Sequence, residues 1–160
     1  MLRSILYATD LGLYAPYVLQ HALSLAKSCQ AELHVVHAVE PLGLFAESVL
    51  QTYLDEKALQ DLHRNGLTRV MASIEQRVLE GFRDEVGEAQ DSQIIRSVSV
   101  VQGDPAQVIL DEARKLGVDL LVVGSHSHDA SRDIPLGRTA ARLLQLADVP
   151  VYLVPMLQHR

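Results

Sequence analysis

The residues best suited to gripping a phosphate lie in Val122-Val123-Gly124-Ser125-His126-Ser127-His128 and, after a further stretch, in Gly137-Arg138-Thr139. A glycine at a strand end lets backbone N–H groups come close to an anion. A second glycine opening a helix leaves the positive end of the helix dipole accessible to it. Asp10 closes the apolar run Ile5-Leu6-Tyr7-Ala8-Thr9, where a carboxylate suits contact with a ribose or a metal–phosphate group. The plainer role for Asp10 is to form the turn that follows. His126, His128 and Asp129 form an H-x-H-D cluster, but no second ligand pair stands at a zinc spacing, so metal is not expected. His34 and His37 differ in strand parity and point to opposite faces, so they cannot act as a pair. No G-x-S-x-G, Walker lysine or G-x-G-x-x-G accompanies any strand, and no residue is legible as a catalytic base. A binding protein rather than an enzyme is expected.

These residues need a scaffold, and the hydrophobic pattern supplies one. Short β-branched runs at Ser4–Thr9, Glu32–Val39, Ile94–Val101, Asp119–Val123 and Pro150–Val154 predict five strands. Between them, Val18, Leu19, Ala22, Leu23 and Ala26 recur at helical spacing, with Pro16 near the helix start. Residues 40–50 read as a loop opened by Pro41 and Gly43. A polar-faced helical region is expected over 51–85, with Leu54, Ala58, Leu62, Val70, Ile74, Val78 and Leu79 inward and a break at Gly66. Gly103-Asp104-Pro105-Ala106-Gln107 predicts a helix start with Asp104 as cap, Pro105 at the first position and Gln107 completing a capping box. That helix should end at Gly117, and a short one should cover Thr139–Ala147.

Alternating strands and helices predict an α/β fold: a doubly wound, five-stranded parallel sheet of order 3-2-1-4-5 in a single domain spanning 1–160. In such a sheet a ligand sits beyond the carboxyl ends of the strands where the winding reverses. Here that point lies between the first and fourth strands, which end near Asp10 and Gly124.

The chain resembles the universal stress protein family. ATP-binding members carry glycine, two residues, glycine, nine residues, then glycine followed by Ser or Thr. Gly124 matches the first glycine, His128–Leu136 supplies the nine-residue spacer, and Gly137 matches the last glycine. Ser127 stands where the second glycine belongs, and Arg138 replaces the Ser or Thr, with Thr139 one place late. The resemblance also covers Ile5–Asp10, Leu33–Val39, Gly103-Asp104-Pro105 and Pro150–Val154. It implies a Rossmann-like fold of the adenine nucleotide alpha hydrolase type and a stress-response role. It also implies a nucleotide site at Asp10, Ala38, Val123, Gly124, Ser127, Gly137, Arg138 and Thr139, taking ATP or AMP, with Mg2+ only alongside the nucleotide. The alternative is a nucleotide-free interaction module of the same fold, which Ser127 and Arg138 favour and the preserved spacing opposes.

The last strand is apolar on both faces and forms an edge, which is a pairing hazard unless covered. In the family this strand pairs with its copy across a two-fold axis, implying a homodimer that acts through a protein client. A net charge of −6 with scattered basic residues disfavours nucleic acid and anionic membranes. No apolar run approaches the roughly 20 residues of a spanning helix. The single cysteine, Cys29, rules out an internal disulfide and reads as a small buried filler in a cytoplasmic protein.

Overall fold

The parallel sheet forms because five apolar strands are each returned to it by a helix. A computed structural model describes residues 1–12, 14–40, 44–61, 64, 69, 72–73, 76–77, 80, 93–126 and 136–155. The strands are β1 (Ser4–Thr9), β2 (Glu32–Val39), β3 (Ile95–Gln102), β4 (Leu120–Gly124) and β5 (Val151–Val154). The described helices are α1 (Ala15–Cys29), α2 (Leu44–Tyr53), α3 (Glu56–Asp61), α4 (Pro105–Leu116) and α5 (Arg138–Leu146). The order across the sheet is β3-β2-β1-β4-β5, and every pairing is parallel. This is the predicted topology, with β3 and β4 each displaced by one residue from the expected bounds.

Strand alternation divides the core into two. Ile5, Tyr7, Leu33, Val35, Leu120 and Val122 face α1, whose Val18, Leu19, Ala22, Leu23 and Ala26 are all buried as the helical spacing predicts. Leu6, Val36, Leu121 and Val123 face the opposite way, against Ala106, Ile109, Leu110 and Ala113 of α4 and Leu143 of α5. A strand buried on both faces reads as a continuous apolar run, which is how β1 and β4 read. Cys29 corrects an expectation: it is half-buried at the end of α1, packed against the first cluster rather than enclosed by it.

The helix ends explain themselves locally. Asp104 caps α4 by accepting the Gln107 N–H at 3.2 Å, and Pro105 follows as expected. The capping box is only half formed, because the Gln107 side chain donates to Asp111 instead, at 2.8 Å. Gly117 ends the helix at φ 63°, the left-handed conformation that glycine adopts without a Cβ penalty.

The segment after β2 departs most from expectation. Residues 44–50, expected in a loop, belong to α2, which runs on through the expected helical positions to Tyr53, while Pro41 and Gly43 lie outside the described residues. The long helix expected from residue 51 is interrupted at Leu54–Asp55, where Asp55 Oδ1 accepts the Ala58 N–H at 2.7 Å and starts α3. A side-chain acceptor that satisfies a first-turn N–H competes with helix continuation. Leu54 and Ala58 are half-buried; Leu62, Gly66, Val70, Ile74, Val78 and Leu79 lie outside the described residues.

Asp119 joins the amino ends of the two central strands. Expected as the first residue of β4, it instead precedes that strand. Its Oδ2 accepts the N–H groups of Arg3 at 2.9 Å and Ser4 at 3.1 Å, while its own N–H donates to the Ser4 carbonyl at 2.8 Å. The hydrogen bonds from Arg3 and Ser4 hold the Asp119 carboxyl below the ordinary aspartate range. Because the folded value is depressed, the stabilisation is fully present above the unfolded value of about 3.9. It disappears as pH falls through the folded value. Asp119→Asn should therefore lower the Tm at neutral pH, and the deficit should shrink below about pH 4. Thermal melts of both proteins from pH 7 to pH 3 check this.

Candidate functional site

A pocket of about 420 Å³ opens at the carboxyl end of the sheet, over the reversal between β1 and β4. Parallel strands end together, and their following loops diverge in opposite directions at this point, leaving a crevice. Asp10, Ala38, Val123, Gly124, Gly137, Arg138 and Thr139 all line it. Seven of the eight expected site residues are thus brought to one cavity. The eighth, Ser127, lies outside the described residues, as do His128 and Asp129.

The β1–α1 connection is held by its own side chains. Thr9 Oγ1 accepts the Leu11 N–H at 3.1 Å, and Asp10 Oδ1 accepts the Gly12 N–H at 2.8 Å. Leu11 adopts φ 58° between them, unusual for a residue with a Cβ. Asp10 therefore performs the plain turn-forming task and also presents its carboxylate at the pocket wall. The two readings of this residue are not exclusive.

On the other wall, Gly137 approaches the chain leaving β4. Its N–H donates to the Ser125 carbonyl at 2.7 Å, and a Cβ there would lie 2.9 Å from the same oxygen. The Gly137 N–H is thus used inside the protein and is not available to an anion. The donors left for an anion are those of the first turn of α5, beginning at Arg138, which have no intrahelical acceptor. Helix α5 starts one residue earlier than predicted, so Arg138 is its first residue, and its side chain is exposed rather than plugging the cavity. Ser125 is buried, its N–H donates to the Val154 carbonyl at 2.8 Å, and its Oγ lies 2.7 Å from His126 Nδ1.

At the far end, β2 delivers His37 and Ala38. The His37 Nδ1 donates to the Thr9 carbonyl at 2.8 Å, which places it half-buried in the pocket wall, whereas His34 faces away and bonds Ser97 Oγ at 2.6 Å. Tyr14 and Glu40 also line the cavity and were not singled out beforehand, and His126, weighed only for metal, lines it too. Their one legible signal is position, since each falls within three residues of a strand's carboxyl end or beside the start of α1. Among the described residues no group of three metal-ligating side chains occurs. Nor is any helix among them long and apolar enough to cross a membrane.

The fold agrees with a family comparison. The model of the universal stress protein family matches residues 1–155. The chain belongs to that family. Universal stress protein YxiE of Bacillus subtilis is 27% identical over 155 residues, covering 96% of this chain and 99% of its own. The solved structure of MJ0577, a universal stress protein of Methanocaldococcus jannaschii, superposes with a TM-score of 0.74 at 19% identity, covering 99% of each chain. A universal stress protein crystallised with cAMP gives a TM-score of 0.58 at 16% identity, covering 96% of this chain and 97% of that one.

The contacts at Gly137 generate a test of this family member's geometry. Gly137→Ala should destabilise the fold by about 1–3 kcal/mol, because the added Cβ meets backbone rather than a movable side chain. Gly124→Ala should cost less than about 1 kcal/mol, since its Cβ would meet the Val18 Cγ2 methyl at 3.3 Å, which a small shift relieves. Urea unfolding midpoints of the two variants rank them.

Proposed function

We propose that this chain is a homodimeric, non-catalytic regulatory protein that binds ATP or AMP at the reversal between β1 and β4 and acts on a protein client in the cytoplasm. The observation that carries the proposal is the open cavity itself. Its α5 end offers first-turn N–H groups and the Arg138 guanidinium to an anion, and its β2 end is walled by Ala38 and His37. The relative crystallised with cAMP supports an adenine nucleotide as the class of ligand. Asp10 and Glu40 at the wall suit a Mg2+ that arrives with a triphosphate and not by itself. The non-catalytic reading rests on the sequence, which carries no nucleophile elbow, Walker lysine or other motif that places a base against a water.

One observation favours the second reading, a nucleotide-free interaction module. Arg138 stands where ATP-binding relatives have Ser or Thr, with Ser127 in place of a glycine. Calorimetric titration separates the two. If Arg138 is a phosphate ligand, wild type binds ATP and AMP, and Arg138→Ser weakens ATP binding roughly tenfold and flattens its salt dependence. If the departures only weaken the cradle, Ser127→Gly with Arg138→Ser tightens it instead, by about tenfold to a hundredfold. Absence of binding by all three proteins at millimolar nucleotide leaves the interaction module.

The dimer follows from β5. Leu121 N–H donates to the Pro150 carbonyl and Ser125 N–H to the Val154 carbonyl. Parallel ladder alternation therefore turns the Val151 and Leu153 N–H groups toward the open edge. Val151, Tyr152 and Leu153 are only half-buried within one chain. Leu153→Pro removes an outward donor while sparing the bonds to β4, and should convert a sedimenting dimer to monomer or aggregate. A wild type that sediments as monomer at micromolar concentration would count against the dimer.

A further inference from the structure

A second cavity, of about 290 Å³, adjoins the first, sharing Glu40, Arg138 and Thr139 with it and adding Asp104 and Arg142. The backbone gathers these residues. The Gly103 N–H donates to the Val39 carbonyl at 2.9 Å, which brings Glu40, just past β2, and Asp104, the cap of α4, to one rim. Arg142 reaches that cap from α5, its Nη1 donating to both oxygens of Asp104 at 3.1 Å each.

The cations of α5 are placed against their own helix. Arg138 and Arg142 stand four residues apart, so their Cβ atoms are roughly 6 Å from each other and the like charges repel. Arg138 is also the first residue of α5, where the positive end of the dipole opposes a cation. No carboxylate among the described residues pairs with Arg138. Arg142 engages Asp104 through Nη1 alone, which leaves the Nε and Nη2 hydrogens of its fork without a described partner. Asp104, by contrast, is fully met, since its Oδ2 also accepts the Gln107 N–H at 3.2 Å. Two unfavourable placements at the mouth of one cavity mark a local conflict of the kind that functional sites carry, and an anion held between the arginines relieves both.

We propose that the second cavity is a phosphate subsite, in which Arg142 and Arg138 bind the oxygens of a hydrogenphosphate or phosphate monoester and Glu40 accepts its remaining proton. A planar guanidinium fork matches two oxygens of a tetrahedral anion. Glu40 narrows the class. It lines the same cavity and bonds no described residue. An ionised carboxylate can only accept, so it repels a fully ionised sulfate and pairs with a phosphate that still carries an O–H. The phosphate is either a separate ion or the terminal group of a nucleotide in the main pocket, since the two cavities share Arg138 and Thr139.

Calorimetric titration of sodium phosphate into the nucleotide-free full chain tests the subsite. Wild type should bind phosphate with an affinity that falls as salt rises, and Arg142→Gln should weaken it about tenfold. Arg114→Gln removes the same charge from an exposed pair with Asp148 outside the cavity, and should leave the affinity within about twofold of wild type. Sulfate should bind about tenfold more weakly than phosphate, a preference that Glu40→Gln should abolish. Phosphate binding that survives Arg142→Gln, or no binding by wild type at about 10 mM phosphate, overturns the subsite. Sulfate bound as tightly as phosphate by wild type overturns the part given to Glu40. Repeating the titration on nucleotide-saturated protein identifies the source. Phosphate that still binds beside ATP is a separate ion; phosphate excluded by ATP but not by AMP stands in for the terminal group of the nucleotide. AMP binding that is unchanged in Arg142→Gln keeps the nucleotide reading whichever way the phosphate titration falls, and failure of wild type to bind AMP overturns that reading alone.

Discussion

The pocket depends on the contact between Gly137 and the backbone leaving β4. The Gly137 N–H reaches the Ser125 carbonyl at 2.7 Å, and the Ser125 N–H reaches the Val154 carbonyl at 2.8 Å. Two backbone bonds thus link the start of α5, the end of β4 and the end of β5. With the amino end of α5 fixed beside the end of β4, its first turn borders the crevice, and Arg138 stands at the rim with its side chain exposed. A Cβ at residue 137 would lie 2.9 Å from the Ser125 oxygen, so glycine is required by proximity rather than by backbone angle, its φ being an ordinary −62°.

The topology was legible in the sequence because burial on two faces imposes a pattern that few alternatives share. Ile5, Leu6, Tyr7 and the run Leu120–Val123 are apolar at odd and even positions alike, as strands covered by helices on both sides must be. The helix α1 stripe and the Asp104–Pro105 start of α4 were equally plain. What escaped was local competition. Asp55 ends one helix and begins another with a single hydrogen bond, and Gln107 turns outward to Asp111 instead of closing a capping box. Both outcomes hinge on about 1 kcal/mol of side-chain preference, which residue type alone does not determine.

At the site, residue spacing pointed to Gly124 and Gly137, and both line the pocket. Gly137 was read as opening the helix whose positive end an anion can approach, and it does cap that helix; that its own N–H is bonded within the fold was not legible. Asp10 was weighed between turn and ligand contact, and the structure gives it the turn and a place in the wall. Tyr14 and Glu40 carry no motif; the fold gathers them because a parallel sheet brings all its carboxyl ends to one rim.

The same two bonds that shape the pocket bear on how a binding event could be transmitted. Under the proposed reading, a ligand's anion contacts the first turn of α5, and α5 is tied through Ser125 to Val154, the last residue of the edge strand. A shift of α5 toward or away from the ligand must then be absorbed at Ser125, whose buried setting leaves little slack, or passed to β5. Hydrogen-bonded backbone at van der Waals contact is stiff, while the exposed side-chain pair between Arg142 and Asp104, at 3.1 Å on the outer face of α5 and α4, is screened and yielding. Leu143 of α5 is nevertheless fully buried in the cluster it shares with Ala106, Ile109 and Leu110 of α4, so packing holds α5 on that side as well. Under the proposed reading, a shift of α5 would therefore be felt both in the α4 packing and, through Ser125, at the end of β5.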